Sequence, residues 1–110
     1  MSNFKEITSI EEWKDVLEQS KSHKVLVLKH STTCPVSAHA YAEFTSFESP
    51  VEKYLVKVIE SRTVSNEMEQ DLGVKHESPQ SFLIEDGKAS WGASHWKITK
   101  KELANATESF

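Results

Sequence analysis

Two kinds of apolar segment alternate along the chain, and their periods predict its elements. KVLVLKH, Lys24 to His30, is rich in Val and Leu and unbroken in apolar character from Val25 to Leu28, the pattern of a strand buried on both faces of a sheet. YLVKVIES, Tyr54 to Ser61, reads the same way. Around them the period lengthens. Ile10, Trp13, Val16 and Leu17 make a helical stripe over residues 10 to 20, preceded by Thr8 and Ser9, each placed three residues before Glu11 and Glu12 as overlapping capping boxes. Ala38, Ala40, Tyr41, Ala42 and Phe44 continue a helix after Cys34, with Pro50 as its stop or kink. Val64, Met68 and Leu72 predict a third helix, which Gly73 ends cheaply in the left-handed conformation. SFLIEDGKASW, Ser81 to Trp91, is strand, turn, strand, because Asp86-Gly87 between apolar runs is a strong hairpin signal. Thr99 and Glu102 cap a last helix toward residue 107, and a further strand fits Phe4 to Ile7.

This order predicts an α/β protein with a central mixed sheet of four to five strands flanked by helices, parallel crossovers first and an antiparallel edge last. Ligands of such sheets gather where strands end and helices begin. Cys34 lies at that kind of junction.

Length and charge narrow the function. At 110 residues and 37% hydrophobic, the chain suits one domain over 1–110. The net charge of −4 argues against nucleic acid as a partner, since phosphate binding needs clustered Lys and Arg. No apolar run approaches a membrane span, and MSNFKEITSIEEW lacks the basic start and greasy middle of a secretion signal. The expectation is therefore a cytoplasmic monomer without membrane contact. The Asn105-Ala106-Thr107 match to a glycosylation motif then counts as chance.

Cys34 is the only cysteine, so any bond to its sulfur must involve another molecule. With Pro35 at the first helical position, Cys34 takes the N-cap. There the free N–H groups of the first turn and the positive end of the helix dipole favour thiolate over thiol. Ser37, one helical turn on, stands where a dithiol enzyme keeps its second cysteine; it has a hydroxyl to offer the sulfur but no thiol to resolve a mixed disulfide. Most lone cysteines are inert and buried. TTCPVS, however, is a polar loop tip between a strand and a helix, which favours a reactive thiol.

Other chemistry is less well supported. His23, His30, His39, His76 and His95 are scattered and form none of the tight pairings of a zinc site, so no metal is expected. His30 supports the thiolate only if its side chain points toward Cys34, and His39 should face away. Glu67, Glu69 and Asp71 read as solvated surface, and Trp91 as core. Trp91 and Trp96, on either side of Gly92, are candidates for a binding wall, although aromatics on a terminal strand more often complete a core.

A strand, then Cys34-Pro35-Val36-Ser37 opening a helix, then Ser78-Pro79 before a hairpin and a terminal helix, resembles the thioredoxin fold over nearly the whole chain. Within that superfamily, TCPVS closely resembles the TCPIS signature of the monothiol bacilliredoxins, and Ala93-Ser94-His95-Trp96 strengthens the match. The resemblance implies a thiol–disulfide oxidoreductase in which Cys34 and Ser37 are the catalytic pair. Its partners would be S-bacillithiolated client proteins and bacillithiol or another thiol reductant. It implies no tightly bound cofactor, with bacillithiol as co-substrate. It also implies that Pro79 is cis, that Ser78 pairs its backbone with the substrate, and that Thr33 and Pro35 border the bound thiol. Thioredoxins carry tryptophan just before the nucleophile and a buried acid on the preceding strand; Thr33 and Leu28 stand there instead, so an acid-assisted relay is not expected. Two other classes share the outline: monothiol glutaredoxins that bind iron–sulfur clusters, which have glycine where this chain has Pro35, and a non-catalytic partner-binding module.

Overall fold

The computed structural model describes residues 4–108. Its strands are β1 (Phe4–Glu6), β2 (Val25–His30), β3 (Glu52–Lys57), β4 (Gln80–Glu85) and β5 (Lys88–Ser94). The helices are α1 (Ile10–Gln19), α2 (Pro35–Ser46), α3 (Arg62–Leu72) and α4 (Lys100–Glu108), with a single 3₁₀ turn at His95–Lys97. The five strands form one sheet in the order β1-β3-β2-β4-β5. β3 runs parallel to β1 and β2, while β4 runs antiparallel to β2 and β5. Parallel crossovers do come first and the antiparallel edge last.

The central strand β2 is buried at all six positions, and its alternation sorts the molecule into two cores. Val25 and Val27 face Trp13, Val16, Val64 and Met68 of α1 and α3. Leu26 and Leu28 face Ala40 and Phe44 of α2 and Leu103 of α4. Lys29 and His30 continue that alternation onto opposite faces. No helix among the described residues is long and apolar enough to cross a membrane.

Local signals place most boundaries, and tertiary contacts move the rest. Ser9 is the N-cap of α1, its side chain accepting from the Glu12 N–H at 3.1 Å. Of the two candidate pairs, Ser9 and Glu12 supply the cap, and the Glu12 carboxylate also accepts the Thr8 N–H at 2.8 Å. Ile10 is 39% exposed and does not belong to the buried stripe. α2 stops at Ser46, four residues before Pro50. Phe47 turns into the core there, and buried Lys53 donates to the Phe44 and Phe47 carbonyls that the helix end leaves unpaired. β3 spans Glu52–Lys57 rather than 54–61, because its register with β2 ends at the pair His30–Lys57, where β2 leaves the sheet. Asp71 and Glu67 are not merely solvated. Asp71 accepts from the Trp13 indole N–H at 2.8 Å, and both carboxylates hold Lys14, clasping α1 to α3.

Two turns adopt the left-handed backbone that the sequence signals demand. Gly73 ends α3 at φ 67, and Asp86-Gly87 turns the hairpin at φ 53 and 74.

Candidate active site

The site begins where β2 ends. After His30 the chain bends through Ser31, Thr32 and Thr33, and Cys34 enters α2 as its N-cap in extended backbone, φ −111 and ψ 125. Pro35 is the first helical residue, and the Cys34 carbonyl accepts the opening helical bond from the Ala38 N–H at 2.9 Å. Cys34 is partly exposed, and its side chain makes no capping bond and is not in a disulfide. It is therefore open to a second sulfur at the positive end of a twelve-residue helix.

Ser37 does something other than the sequence suggests. It is fully buried, its oxygen accepts the Ser31 N–H at 2.8 Å, and it lies 2.7 Å from His30 Nδ1. No hydrogen bond joins it to the Cys34 sulfur among the described residues, so the expected hydroxyl-to-sulfur contact is replaced by one to the strand. The cause is the alternation of β2, which turns His30 onto the α2 side. Its ring stacks on Tyr41 at 4.7 Å and meets Ser37 one turn earlier on the same helix. Burial, then the nearby Lys57 ammonium, lowers the His30 pKa, which favours the neutral ring. Ser37 thus fixes the approach of the 31–34 loop to the helix. Ser37→Ala should leave the His30 ring and the Ser31 N–H without this partner, costing about 1–3 kcal/mol. A chemical denaturation midpoint equal to that of the parent would refute this role.

The second wall comes from the start of β4. The Ser78–Pro79 peptide is cis. Lys29 pairs with Gln80 across β2 and β4, and one further step of that antiparallel register sets Pro79 beside His30, at the end of the strand leading to Cys34. The Gln80 side chain straps the preceding loop, donating to the Lys75 carbonyl at 3.0 Å and accepting the Glu77 N–H at 3.2 Å. The Ser78 hydroxyl is buried without a hydrogen-bond partner among the described residues. Thr33 is exposed on the loop, 3.4 Å from the Ser31 hydroxyl, and Pro35 is exposed at the first position of α2. Leu28, where a thioredoxin keeps its acid, is wholly buried on the α2 face.

Sequence reasoning did not anticipate the 3₁₀ turn after β5. His95 adopts φ 58 and donates its N–H to the Pro79 carbonyl at 3.0 Å. Trp96 follows and packs its ring on His39 at 5.2 Å. No glycine marks that turn, so the text carried no cue. Among the described residues no group of three or more His, Cys, Asp or Glu is arranged to hold a metal ion.

Comparison with known proteins agrees with this geometry. A solved thioredoxin-fold protein proposed to be an oxidoreductase is 38% identical, with a TM-score of 0.88, covering 96% of this chain and 95% of its own. Thioredoxins from Malassezia sympodialis (19% identical, TM-score 0.76, covering 97% of this chain and 90% of that one) and Schistosoma mansoni (14%, 0.78, 98% and 96%) share the fold. The family model described as monothiol bacilliredoxin BrxC matches residues 5–103. With its lone cysteine at the head of α2 in a thioredoxin fold, the chain belongs to the monothiol bacilliredoxin family of thiol–disulfide oxidoreductases.

Proposed function

We propose that this protein removes bacillithiol from S-bacillithiolated proteins of the cytoplasm, acting as a monomer. The Cys34 thiolate attacks the bacillithiol sulfur of the mixed disulfide. The bond to the client breaks, the client leaves as its thiolate, and Cys34 is joined to bacillithiol. A second thiolate, from bacillithiol or another reductant, then attacks that same sulfur, forms the outgoing disulfide and restores Cys34. No net oxidation occurs, since one disulfide is exchanged for another at each step.

The observation that carries this reading is a partly exposed cysteine at a helix N-cap with buried Ser37 at the resolving position. A serine cannot attack the Cys34 disulfide, so the intermediate waits for an outside thiol. Ser78 and Pro79 supply the edge against which the substrate backbone aligns as a short added strand, and Thr33 and Pro35 border the carried thiol.

Incubation with a bacillithiolated client, followed by intact-mass measurement, tests the scheme. Cys34 should gain the mass of one bacillithiol as the client thiol is freed. A client that keeps its adduct, or an adduct that ends up bridging client to Cys34, would show that this exchange is not the reaction.

A further inference from the structure

His95 and Asp86 are the two non-glycine residues with left-handed backbone among those described. Asp86 is explained by its hairpin turn, which requires that conformation. His95 is in no such turn, and a side chain there carries strain that surrounding structure must hold in place. What the conformation achieves is visible in its neighbours. It swings the chain out of β5 so that the His95 N–H closes on the Pro79 carbonyl at 3.0 Å, and its Nδ1 comes to 3.6 Å from a Glu77 carboxylate oxygen. The next residue, Trp96, is carried over α2 to meet His39 at 5.2 Å between ring centroids, tilted by 53°.

Trp96 nevertheless remains 61% exposed, more than the other exposed large apolar residues Ile10 and Ile59. A tryptophan left in water is not completing a core. Two tethers fix its position: its ring rests on His39 in α2, ~7.5 Å of axial rise past Cys34, and the preceding residue His95 is bonded to Pro79 at the start of β4. Pro79, tied to His95, lies one step of the β2–β4 register from His30, at the end of the strand that leads to Cys34.

We propose that the left-handed corner at His95 holds Trp96 against His39 as a platform on which the sugar ring of bacillithiol rests while that thiol is joined to Cys34. The inference rests on the exchange reaction proposed above and names the residues that recognise its small thiol. The C–H face of a sugar ring lies on the indole, and its hydroxyls reach the polar edge offered by His39. The platform binds the carried thiol and does not touch the chemistry of the sulfur, so its loss belongs in KM.

One client protein, prepared as its bacillithiol and its cysteamine mixed disulfides, separates the possibilities; cysteamine has no sugar. Trp96→Ala should raise KM for the bacillithiol form about 3- to 10-fold, the worth of one aromatic stack. It should leave KM for the cysteamine form and the rate of Cys34 alkylation by iodoacetamide unchanged, and Trp96→Phe should recover part of the loss. Equal losses on both substrates, or none on either, would overturn the platform. Should the parent protein itself release no bacillithiol, the proposed reaction fails first, and the platform with it.

Discussion

Cys34→Ser should abolish bacillithiol release while making the protein slightly more stable. The two effects have separate causes. Thiolate is the nucleophile in disulfide exchange, and a serine hydroxyl does not ionise at neutral pH, so turnover should fall on the order of 10³-fold or more, to the uncatalysed rate. Stability moves the other way because sulfur is a poor cap. The Cys34 side chain makes no capping bond, whereas a serine oxygen in the same extended N-cap backbone can accept from the first-turn N–H groups. The gain should be about 0.5–1 kcal/mol. Paired turnover and urea-denaturation measurements check both halves. Retained exchange by Cys34→Ser would remove the lone thiol from the mechanism, and a marked loss of stability would mean that the sulfur holds the fold rather than serving the reaction.

Lys29→Met should stabilise the protein at pH 7 by about 1–3 kcal/mol, in the range seen when well-packed apolar groups replace buried charges. Lys29 is 1% exposed on the α1/α3 side of β2, and its amine reaches the Ser65 carbonyl at 3.4 Å. Burial lowers its pKa from 10.5 to about 8, with the Glu69 carboxylate opposing. Between those two values the unfolded chain holds a proton that the folded protein has released, so native stability rises with pH through that window. The penalty for burying the ammonium is present in full below pH 8 and vanishes above 10.5. The advantage of Lys29→Met should therefore be greatest at neutral pH and shrink as the pH approaches 10. Urea titrations at pH 7 and 9.5 measure it. A variant less stable than the parent at pH 7, or a difference that does not change with pH, would show that the amine is bound more favourably than its surroundings suggest.

Much of the architecture could be read in the sequence because it follows from short-range physics. The unbroken apolar run Val25 to Leu28 is satisfied only between two layers, and Asp86-Gly87 turns a hairpin wherever two apolar runs flank it. Pro35 behind Cys34 starts a helix because that position needs no N–H. The readings that moved were those that depend on a distant partner. β3 begins and ends where β2 offers backbone to pair with, a limit that the run from Tyr54 to Ser61 does not contain. α2 ends where Lys53, from the next strand, captures its carbonyls, so the distance to Pro50 was no guide.

The candidate site divides in the same way. The placement of Cys34 at the head of α2 was legible, since the residue and the helix start are adjacent in the chain. The role of Ser37 was not, because one helical turn of spacing says that two residues share a face but not which neighbour from another element reaches that face first; here it is His30. The turn at His95 bonds to Pro79, and the Trp96 contact with His39 joins residues more than fifty positions apart, with no glycine to signal either. By itself, then, the sequence determined the order of elements, the buried centre of the sheet and the cysteine at the head of a helix, all consequences of forces acting within a few residues. Only the tertiary structure decided the strand limits, the partner of Ser37 and the wall beside Cys34. Those depend on which surfaces remain free after distant elements have packed, and no local preference carries that information.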